Sequence, residues 1–362
     1  MKILCFTDNL GSGGAQRQIT LLARLLKLRG HEVTMAVYAS GDFFKGVLDR
    51  EAIRTVHLFS RSKVGRVFSL ARLIHELHPN VVIAFQEMPS FIAEIATRFV
   101  KVDTLIISER QAVPLSLLSF KNKIIKHAHQ FADVITTNSH ANRDLLIQLH
   151  PGLSEKIHVI YNAFDFSVVD DASSLKVSSS RIKCRFVILA SHKPSKNFAI
   201  VAHACKVLTD LGMNDLFEVV WYGDEAPGFF AKDKQLSEQL GVTECLILMN
   251  PVSNVISVLL DSDALIHPSF WEGLPNAVCE AMSVGVPVII SDVCDSRYLV
   301  EDEIMGYQFD PNNVDSLVHA MIRFMKLDSI QREVMRNAIN LRARALFDPD
   351  VFCTAYENIL RG

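Results

Sequence analysis

In Ser269-Phe270-Trp271-Glu272-Gly273-Leu274-Pro275-Asn276-Ala277-Val278-Cys279-Glu280-Ala281-Met282, two carboxylates lie around the start of a predicted helix. The apolar run just upstream, Ala264 to His267, predicts the end of a buried strand. Pro275 suits the first helical position, because its ring fixes φ and it has no N–H to satisfy. The loop from Glu272 to Leu274 then lies just outside a helix N-terminus. The unpaired N–H groups and the positive end of the helix dipole favour an anion or a hydroxyl-rich ligand there.

The two carboxylates are expected at different depths. Glu280 lies five residues past Pro275, which is roughly 7 Å along a helix axis. A carboxylate accepts hydrogen bonds from vicinal hydroxyls, so the pair can hold a sugar at one end and a ribose at the other. The alternative is an ordinary helix with one buried and one solvated Glu.

The spacing of Glu272 and Glu280 resembles the Glu, seven residues, Glu motif of the family 4 retaining glycosyltransferases. Other segments are similar to that family in their order and spacing: Leu10-Gly11-Ser12-Gly13-Gly14-Ala15-Gln16-Arg17, Lys196-Asn197, Tyr222-Gly223-Asp224 and Val284-Gly285-Val286-Pro287-Val288. The resemblance covers most of the chain. It implies the GT-B fold, an α/β architecture in which two doubly wound Rossmann-like domains face a central cleft. It also implies that Glu272 contacts hydroxyls of the transferred sugar and that Glu280 contacts the nucleotide ribose.

Length and composition indicate a globular protein of two domains. The chain has 362 residues, of which 49% are hydrophobic and 21% charged, so a sizeable core can form. The sequence has no run of about 18 apolar residues, and its first apolar run meets Asp8 too soon for a signal peptide or a membrane span. Seven scattered cysteines without a Cys-x-x-Cys pair indicate reduced thiols, which argues against a disulfide frame or a zinc site. We therefore expect a cytoplasmic protein.

The net charge of −3 hides an asymmetry between the two halves. Residues 1–165 carry 20 Lys and Arg against 14 Asp and Glu, a charge of +6, which leaves 17 against 26, or −9, for the rest. A basic first half is typical of a protein that faces an anionic membrane surface or a nucleic acid. Nucleic acid is disfavoured, because the basic residues lack interleaved aromatics and none of the usual binding motifs is present.

Short β-branched runs alternate with longer helical patterns, as in parallel sheets joined by crossover helices. A polar segment rich in Ser and Asp, from Asp165 to Arg181, predicts the boundary between two such domains. The predicted organisation is an acceptor-side domain over residues 1–165, a linker over 166–183 and a nucleotide-sugar-binding domain over 184–350. The resemblance implies that a last helix, 351–362, packs back on the first domain. The predicted strands are Lys2 to Thr7, Glu32 to Tyr38, Val81 to Phe85, Thr104 to Ser108, Val134 to Thr137, His158 to Tyr161, Arg185 to Ala190, Phe217 to Tyr222, Leu246 to Met249, Asp263 to His267 and Pro287 to Ser291.

A glycine-rich turn, Gly11-Ser12-Gly13-Gly14, follows the first strand and opens a helix. Glycines let the backbone approach a phosphate or a sugar closely. The spacing is not that of a nicotinamide fingerprint, and no acidic residue ends the second strand at Tyr38. The alternative is a tight turn that only packs.

Lys196 is predicted to open the helix after the first strand of the second domain, where a lysine can neutralise a diphosphate. Family members usually have an Arg five residues earlier, at the position that Ser191 occupies here, so His192 and Lys193 are the candidates for a second cationic contact. The remaining predicted donor contacts are Asn250 and the backbone of Gly13, Gly14, Gly273, Leu274, Pro275 and Asn276.

Asp261-Ser262-Asp263 matches the Asp-x-Asp pattern that holds Mn or Mg on a sugar diphosphate. We expect no metal here, because Asp263 leads into an apolar strand and Asp261 ends a helix, positions typical of capping residues. The resemblance implies a fold whose members generally work without a metal.

Residues at the ends of first-domain strands are candidates for the acceptor side. Glu109 and Arg110 can orient the acceptor hydroxyl or the leaving diphosphate, and Asn162 is either a cleft or hinge residue or a plain turn residue. Two basic amphipathic segments, residues 61–77 and 115–131, suit the anionic head groups of an inner-membrane surface. The alternative is that both are ordinary amphipathic helices packed on the sheet.

Together these features predict a retaining transferase that moves a hexose or an N-acetylhexosamine from a UDP-sugar to a growing glycan, with an α-glycosidic bond as the product. Lys196 would stabilise the departing diphosphate and Glu272 the sugar. Charge and resemblance favour a lipid-linked acceptor at the cytoplasmic face of a membrane. Three alternatives remain: a sugar-nucleotide epimerase or glycogen-type phosphorylase of the same fold, a nicotinamide oxidoreductase, and a catalytically silent nucleotide-binding subunit. The sugar, the linkage position and the oligomeric state are left open.

Overall fold

The structure, a computed structural model, describes residues 1–60, 62–110, 116, 119–166, 182–224 and 228–361. The chain divides into two compact units, the first formed by Met1–Ala163 with Pro349–Gly362 and the second by Phe164–Asp348. Most of the predicted linker, residues 167–181, lies outside the described residues.

The first unit contains a parallel sheet of seven strands within the described residues, in the order β3-β2-β1-β4-β5-β6-β7. The strands are β1 Lys2–Phe6, β2 Glu32–Val37, β3 Arg54–His57, β4 Val81–Phe85, β5 Thr104–Glu109, β6 Val134–Thr137 and β7 Ile157–Val159. The helices are α1 Gly14–Leu28, α2 Lys45–Arg50, α3 Lys63–Leu77, α4 Glu87–Ala96, α5 Phe120–His127, α6 His140–Leu149 and, from the end of the chain, α14 Pro349–Arg361.

Alternate residues of the first unit's strands enter two apolar clusters on opposite faces of the sheet. Ile3 and Cys5 of β1 pack in the cluster that contains α1 and α14, whereas Leu4 and Phe6 pack in the cluster that contains α3, α4 and α6. All five residues of β4, Val-Val-Ile-Ala-Phe, are buried. A strand covered by helices on both faces needs such a continuous apolar run.

The second unit contains a parallel sheet of six strands within the described residues, in the order β10-β9-β8-β11-β12-β13. The strands are β8 Cys184–Leu189, β9 Phe217–Tyr222, β10 Leu246–Met249, β11 Ala264–His267, β12 Val288–Ser291 and β13 Gly306–Phe309. The helices are α7 Phe198–Asp210, α8 Phe230–Leu240, α9 Val255–Leu260, α10 Asn276–Ser283, α11 Ser296–Leu299, α12 Val314–Met325 and α13 Ser329–Phe347. Each sheet reverses its strand order next to its first strand, between β1 and β4 and between β8 and β11. Ligands of doubly wound folds bind at such switch points.

The sequence predictions of strands were accurate in the sheet centres and at edge strand β10, and incomplete at the other edges. Two edge strands, β3 and β13, were not predicted, and the strand predicted at His158 to Tyr161 is β7, Ile157–Val159. Helices α12 and α13 are separate because Asp328 caps the second of them in a reciprocal capping box with Gln331. None of the helices within the described residues is long and apolar enough to cross a membrane.

Candidate active site

Lys196 and Glu272 come together at the switch point of the second unit. Lys196 lies in the loop after β8 and Glu272 in the loop after β11, and these two strands are neighbours in the sheet. The Lys196 ammonium donates a hydrogen bond to Glu272 Oε1. Both side chains are about one-fifth exposed, at 21% and 19%. The two residues that the sequence singled out for catalysis therefore form an ion pair that solvent reaches.

Glu272 is surrounded by donors. Ser269 Oγ donates to Glu272 Oε1 over 2.8 Å. His267 Nε2 lies 3.3 Å from the same oxygen, within ion-pairing distance but off the line of a good hydrogen bond. Burial alone would raise the pKa of Glu272, but the nearby His267 and Lys196 charges and the hydrogen bond from Lys196 outweigh it and lower the pKa to about 2. The carboxylate is thus ionised throughout the neutral range and can accept hydrogen bonds from hydroxyls.

Three contacts hold the loop that carries Glu272. Phe270 N donates to Ser195 O over 2.9 Å, which ties this loop to the one that carries Lys196. Glu272 N donates to Cys294 Sγ over 3.3 Å, and Ser291 Oγ donates to Ser269 O over 2.7 Å. Cys294 adopts a φ of 53°, in the left-handed region that disfavours a side chain. The conformation of this loop is therefore set by contacts with neighbouring segments as well as by its own sequence.

The helix after this loop begins one residue later than predicted. Pro275 is the N-cap of α10, with φ −75° and ψ 97°, and Asn276 is the first helical residue. The prediction of Pro275 at the first helical position is wrong because its ψ is extended. Gly273 and Leu274 precede it, as expected, and Leu274 is buried. Glu280 lies in α10, one turn beyond the loop, and is partly buried.

The backbone around Lys196 departs from the predicted helix start. Pro194–Lys196 is a short 3-10 turn, and Asn197 follows in the left-handed region with φ 54° before α7 begins at Phe198. Asn197 Nδ2 donates to Pro311 O over 2.9 Å, which holds this unusual residue in place. Asn tolerates a positive φ better than most residues do. The break turns Lys196 out of the helix that the sequence predicted it to open.

The other predicted donor contacts of this unit are dispersed. His192 is fully buried, where its Nδ1 pairs with Asp233 over 2.8 Å and its ring stacks on Trp221. Its side chain is committed to the core, which does not support its predicted use as a second cation. Lys193 and Asn250 are exposed, at the start of the Lys196 turn and directly after β10.

The glycine-rich turn lies at the switch point of the first unit. Gly13 is the N-cap of α1 and Gly14 its first residue, and no side chain caps the helix start. Gln16 Nε2 donates to Asp8 Oδ1 over 2.9 Å, and Gly11 N donates to Asn9 Oδ1 over 2.7 Å. A Cβ on Gly13 would lie 2.3 Å from Gln16 Oε1, so this compact turn requires glycine unless Gln16 moves. The N–H groups at the start of α1 are of the kind that bind anions.

Glu109 belongs to a buried network of charged groups. Lys126 Nζ donates to Glu109 Oε2 over 2.8 Å, and His129 lies between Glu109 Oε1 at 3.3 Å and Glu94 Oε1 at 2.7 Å. The side chains of Glu94 and His129 are 0% exposed and that of Glu109 is 2% exposed. Burial would raise the pKa of Glu109, but Lys126 and His129 lower it to about 2. Burial disfavours the charged form of His129, but Glu109 and Glu94 raise its pKa to about 9.

Arg110 contacts three groups within the first unit. It donates to Asn162 Oδ1 over 2.7 Å and to the Tyr356 hydroxyl over 3.3 Å. Its guanidinium lies 4.1 Å from the centroid of the Phe85 ring, at cation–π distance. Asn162 thus has a defined contact that a plain turn residue would not need. Glu109 and Arg110 are neighbours in sequence, but their side chains contact different partners.

The Asp261-Ser262-Asp263 segment contacts arginines. Asp261 Oδ2 lies 2.5 Å from Arg185 Nη1, and Asp263 Oδ1 lies 3.2 Å from Arg332 Nη1. Asp261 is the residue that ends α9, as predicted. The predicted capping role does not fully describe the two carboxylates, because both also pair with arginines. Among the described residues, no group of three or more His, Cys, Asp or Glu side chains is arranged to hold a metal ion.

Comparison with known protein families identifies the chain. The model described as Glycosyltransferase Family 4 matches residues 12–168, and the model described as Glycosyl transferases group 1 matches residues 182–341. The chain belongs to glycosyltransferase family 4. The two models together match most of both units and all the residues of the Lys196 and Glu272 cluster.

Curated relatives of this glycosyltransferase include bacterial enzymes of glycan assembly. It is 29% identical over 196 residues to the UDP-Gal:alpha-D-GlcNAc-diphosphoundecaprenol alpha-1,3-galactosyltransferase of Escherichia coli, a match that spans 51% of this chain and about half (49%) of that enzyme. It is 23% identical, over 95% of both chains, to the N-acetylgalactosamine-N,N'-diacetylbacillosaminyl-diphospho-undecaprenol 4-alpha-N-acetylgalactosaminyltransferase of Campylobacter jejuni.

Solved structures establish the fold of the glycosyltransferase as GT-B. Anabaena HepE in complex with UDP matches with a TM-score of 0.85 and 20% identity over 100% of both chains. The apo form of the lipopolysaccharide outer core galactosyltransferase WaaB matches with a TM-score of 0.78 and 18% identity over 99% of both chains.

Several residues of the glycosyltransferase that contact the predicted site residues were not predicted. His267, Ser269 and Cys294 contact Glu272, and Lys126 and His129 contact Glu109. His267 was within reach of sequence analysis, because a histidine at the carboxyl end of a buried strand is placed at the ligand-binding edge of a parallel sheet. Cys294 and His129 carry no such signal, since only the folded chain brings them to their partners.

Proposed function

We propose that this family 4 glycosyltransferase is a retaining enzyme that transfers a hexose or an N-acetylhexosamine from a UDP-sugar to a lipid-linked glycan, with formation of an α-glycosidic bond. The observation that carries the proposal is the ion pair of Lys196 and Glu272 at the switch point of the second unit. The pair places a cation, which a diphosphate needs, next to a carboxylate, which can accept hydrogen bonds from sugar hydroxyls.

The donor is held by groups of opposite character. Lys196 binds the diphosphate, with help from the backbone N–H groups of Gly273, Leu274 and Asn276. Glu272 accepts hydrogen bonds from sugar hydroxyls and Glu280 from the ribose. The UDP complex of HepE supports a uridine nucleotide as the donor group.

The reaction breaks the bond between the anomeric carbon and the diphosphate oxygen and forms a bond from that carbon to the oxygen of an acceptor hydroxyl, whose proton passes to the departing diphosphate. Negative charge grows on the diphosphate and positive charge on the sugar ring. Lys196 stabilises the first and the ionised Glu272 the second. His267 and Ser269 hold the Glu272 carboxylate in its orientation.

The acceptor class rests on the relatives and on charge. Both named relatives act on diphospho-undecaprenol-linked glycans, and residues 1–165 carry a charge of +6. We propose that this enzyme likewise meets a lipid-linked acceptor at the cytoplasmic face of a membrane. Glu109 and Arg110 act on the acceptor side by positioning, since their side chains are held by partners within the first unit.

A donor screen with matched variants tests the proposal. Thermal shift with UDP-glucose, UDP-galactose, their N-acetylhexosamine counterparts and GDP-mannose identifies the nucleotide, and transfer to an undecaprenyl-diphosphate glycan is then measured with that donor. Lys196→Ala should lower transfer by roughly two orders of magnitude. Lys326→Ala, which removes an exposed lysine of the same unit outside this site, should leave it unchanged. NMR of the product reports the configuration of the new bond.

Each alternative has a distinct outcome. Conversion of the UDP-sugar without an acceptor would indicate an epimerase, and transfer to phosphate a phosphorylase. Binding of NADH seen as a change in its fluorescence would indicate an oxidoreductase. Nucleotide binding without product would indicate a silent subunit.

The proposal includes no metal cofactor. Treatment with EDTA should leave transfer intact, because Asp261 and Asp263 pair with Arg185 and Arg332. The metal-free proposal would be contradicted if EDTA removed the activity, Mn or Mg restored it, and Asp263→Ala abolished it.

A further inference from the structure

Two exposed aromatic rings of the first unit contact each other, and a third contacts an arginine beside them. Phe68 of α3 is 56% exposed and Phe99, three residues past α4, is 62% exposed. Their ring centroids are 5.6 Å apart. Next to Phe99, the Arg98 guanidinium lies 5.3 Å from the centroid of the Phe131 ring, at the end of the 3-10 turn Ala128–Phe131. These four residues, Phe68, Arg98, Phe99 and Phe131, are termed the aromatic surface below.

The aromatic surface is not a part of the core. Helix α3 buries a different stripe, Val67, Leu70, Ala71, Leu73 and Ile74, in the apolar cluster beneath it. The 3-10 turn likewise buries Ala128 and His129 and leaves Phe131 at the outside, 39% exposed. Contiguous exposed aromatic rings are uncommon on monomeric proteins and mark interaction sites.

The segments that carry the aromatic surface are basic. Residues 62–77, 97–103 and 119–131 contain eight Lys or Arg and two Asp or Glu. Lys126 is buried against Glu109, and Arg72 pairs with Glu76. Four lysines of these segments are exposed: Lys63, Lys101, Lys121 and Lys123. Two further apolar side chains are also exposed there, Val64 at 66% and Ile124 at 53%.

We propose that the aromatic surface docks on an anionic lipid bilayer, with the rings at the level of the head groups and the basic residues of these segments against the phosphates. The combination of exposed aromatic rings with basic residues favours a lipid bilayer over a protein partner at this surface. The centre of a protein interface is depleted in charged residues such as Lys, whereas Arg98 lies over one of these rings and the segments that carry them hold four exposed lysines. The inference deepens the proposed function, on which it rests for the lipid-linked acceptor, by naming the surface that meets the membrane.

Vesicle sedimentation with the full chain tests the inference. The wild type should bind vesicles of phosphatidylcholine with phosphatidylglycerol, should bind phosphatidylcholine alone weakly, and should dissociate in 0.5 M salt. The double variant Phe68→Ser with Phe99→Ser should bind at least about tenfold more weakly, because it removes the apolar part of the contact. Arg98→Glu with Lys101→Glu should weaken binding at low salt by at least about tenfold.

The second unit offers a matched control. Ile330 and Leu341 of α13 are 75% and 69% exposed apolar residues outside the basic segments. Ile330→Ser with Leu341→Ser should leave vesicle binding unchanged. Equal binding by the wild type and by the Phe68 and Phe99 double variant would overturn the inference. So would self-association of the wild type, seen in sedimentation velocity and lost in that variant, because it would make a second copy the occupant.

Titration with UDP separates this inference from the proposed function. The Phe68 and Phe99 double variant should bind UDP as the wild type does and should lose transfer only to an acceptor presented in vesicles. A wild type that binds anionic vesicles but no UDP-sugar would leave the membrane surface standing and would contradict the proposed function.

Discussion

Glu272 in the second unit and Glu109 in the first are two carboxylates that face the same types of side chain but differ in their exposure to solvent. Each faces one lysine and one histidine, and each has a pKa lowered to about 2. The side chain of Glu272 is 19% exposed and lies on a loop, whereas that of Glu109 is 2% exposed and lies at the end of a strand.

The comparison separates an ion pair that can exchange partners from one that cannot. A ligand with hydroxyls and phosphates can replace the contacts between Glu272 and Lys196, because solvent reaches both groups. Glu109 can lose Lys126 and His129 only if the first unit opens. A lowered pKa therefore identifies a paired carboxylate, and the exposure of the pair decides whether it serves binding or stability.

The largest expected effect is on stability, at Glu109. Glu109→Ala leaves Lys126 and His129 buried without their shared carboxylate, which should cost about 3 to 5 kcal/mol. Both tryptophans, Trp221 and Trp271, belong to the second unit. Urea unfolding should therefore shift in circular dichroism, which follows both units, and not in tryptophan fluorescence.

Glu76→Ala is the control for Glu109→Ala, because its carboxylate is exposed and pairs with Arg72 on the surface. It should change neither transition. A Glu109→Ala protein as stable as the wild type would mean that the buried network contributes nothing to the fold.

The next effect is on turnover, at Glu272. Glu272→Gln should lower kcat by roughly two to three orders of magnitude, because the lost charge stabilises the sugar ring in the transition state. The affinity for UDP should change little, since UDP lacks the sugar that Glu272 contacts. Steady-state kinetics and UDP titration on one preparation measure both. Equal losses would reduce Glu272 to a donor-binding residue, and a fully active variant would remove it from the site.

A third effect concerns the pH dependence of stability. The pKa of His129 is raised from 6.5 to about 9, so its stabilising contribution is complete below pH 6.5 and is lost as the pH rises towards 9. The pKa of Glu109 is lowered from 4.5 to about 2, so its contribution is complete above pH 4.5 and is lost as the pH falls towards 2. The combined contribution of Glu109 and His129 should be greatest between pH 4.5 and 6.5.

Urea unfolding at several pH values measures this dependence. The free energy of unfolding of the wild type should fall by up to about 3 kcal/mol between pH 6.5 and 9, and that of His129→Gln should fall by less. His127 is an exposed histidine two residues away. In His127→Gln the free energy of unfolding should depend on pH as it does in the wild type. A slope that is the same in all three proteins would show that His129 does not titrate with folding.

The smallest effect is on nucleotide affinity, at Glu280. Glu280→Ala should weaken the binding of UDP and of the UDP-sugar alike by about 1.5 to 3 kcal/mol, or tenfold and more, through loss of hydrogen bonds to the ribose. Calorimetric titration measures both affinities. Glu244→Ala, an exposed Glu of the same unit, is the control. An unchanged UDP affinity in folded Glu280→Ala would exclude this residue from the nucleotide site.

The centre of each sheet and edge strand β10 could be predicted from sequence, whereas edge strands β3 and β13 could not. Strands such as β4 are buried on both faces, so their composition is apolar throughout and unmistakable. Edge strand β3, Arg-Thr-Val-His, has one exposed and three half-buried residues and no such pattern. Edge strand β13 begins at Gly306, whose φ of 158° and close approach to Val288 O are properties of the folded sheet.

The candidate site shows the same limit. Lys196 and Glu272 could be predicted to meet, because both follow strands whose carboxyl ends share one edge of a parallel sheet. The left-handed Asn197 that turns Lys196 outwards, and Cys294 beneath Glu272, depend on contacts with Pro311 and with the Glu272 backbone. Such contacts join residues far apart in the chain, and no local pattern records them. Phe99 was missed for the same reason, since it meets Phe68 only across two helices.

Helix α14 has a consequence for the order in which the protein is completed during synthesis. Phe352 and Tyr356 of this helix are buried in the same apolar cluster as β1 and β4. Tyr356 also bonds Thr136 of β6 through its hydroxyl. The first unit therefore lacks part of its core until residues made after the whole second unit leave the ribosome.

At ribosomal speeds of about 5 to 20 residues per second, roughly 10 to 40 s separate the synthesis of Ala163 from that of Tyr356. During that interval the second unit has all of its residues, and the first has an open apolar face where α14 will pack. The first unit to begin synthesis is thus the last to close, and a nascent chain stalled before Pro349 would expose the cluster that Phe352 and Tyr356 normally cover.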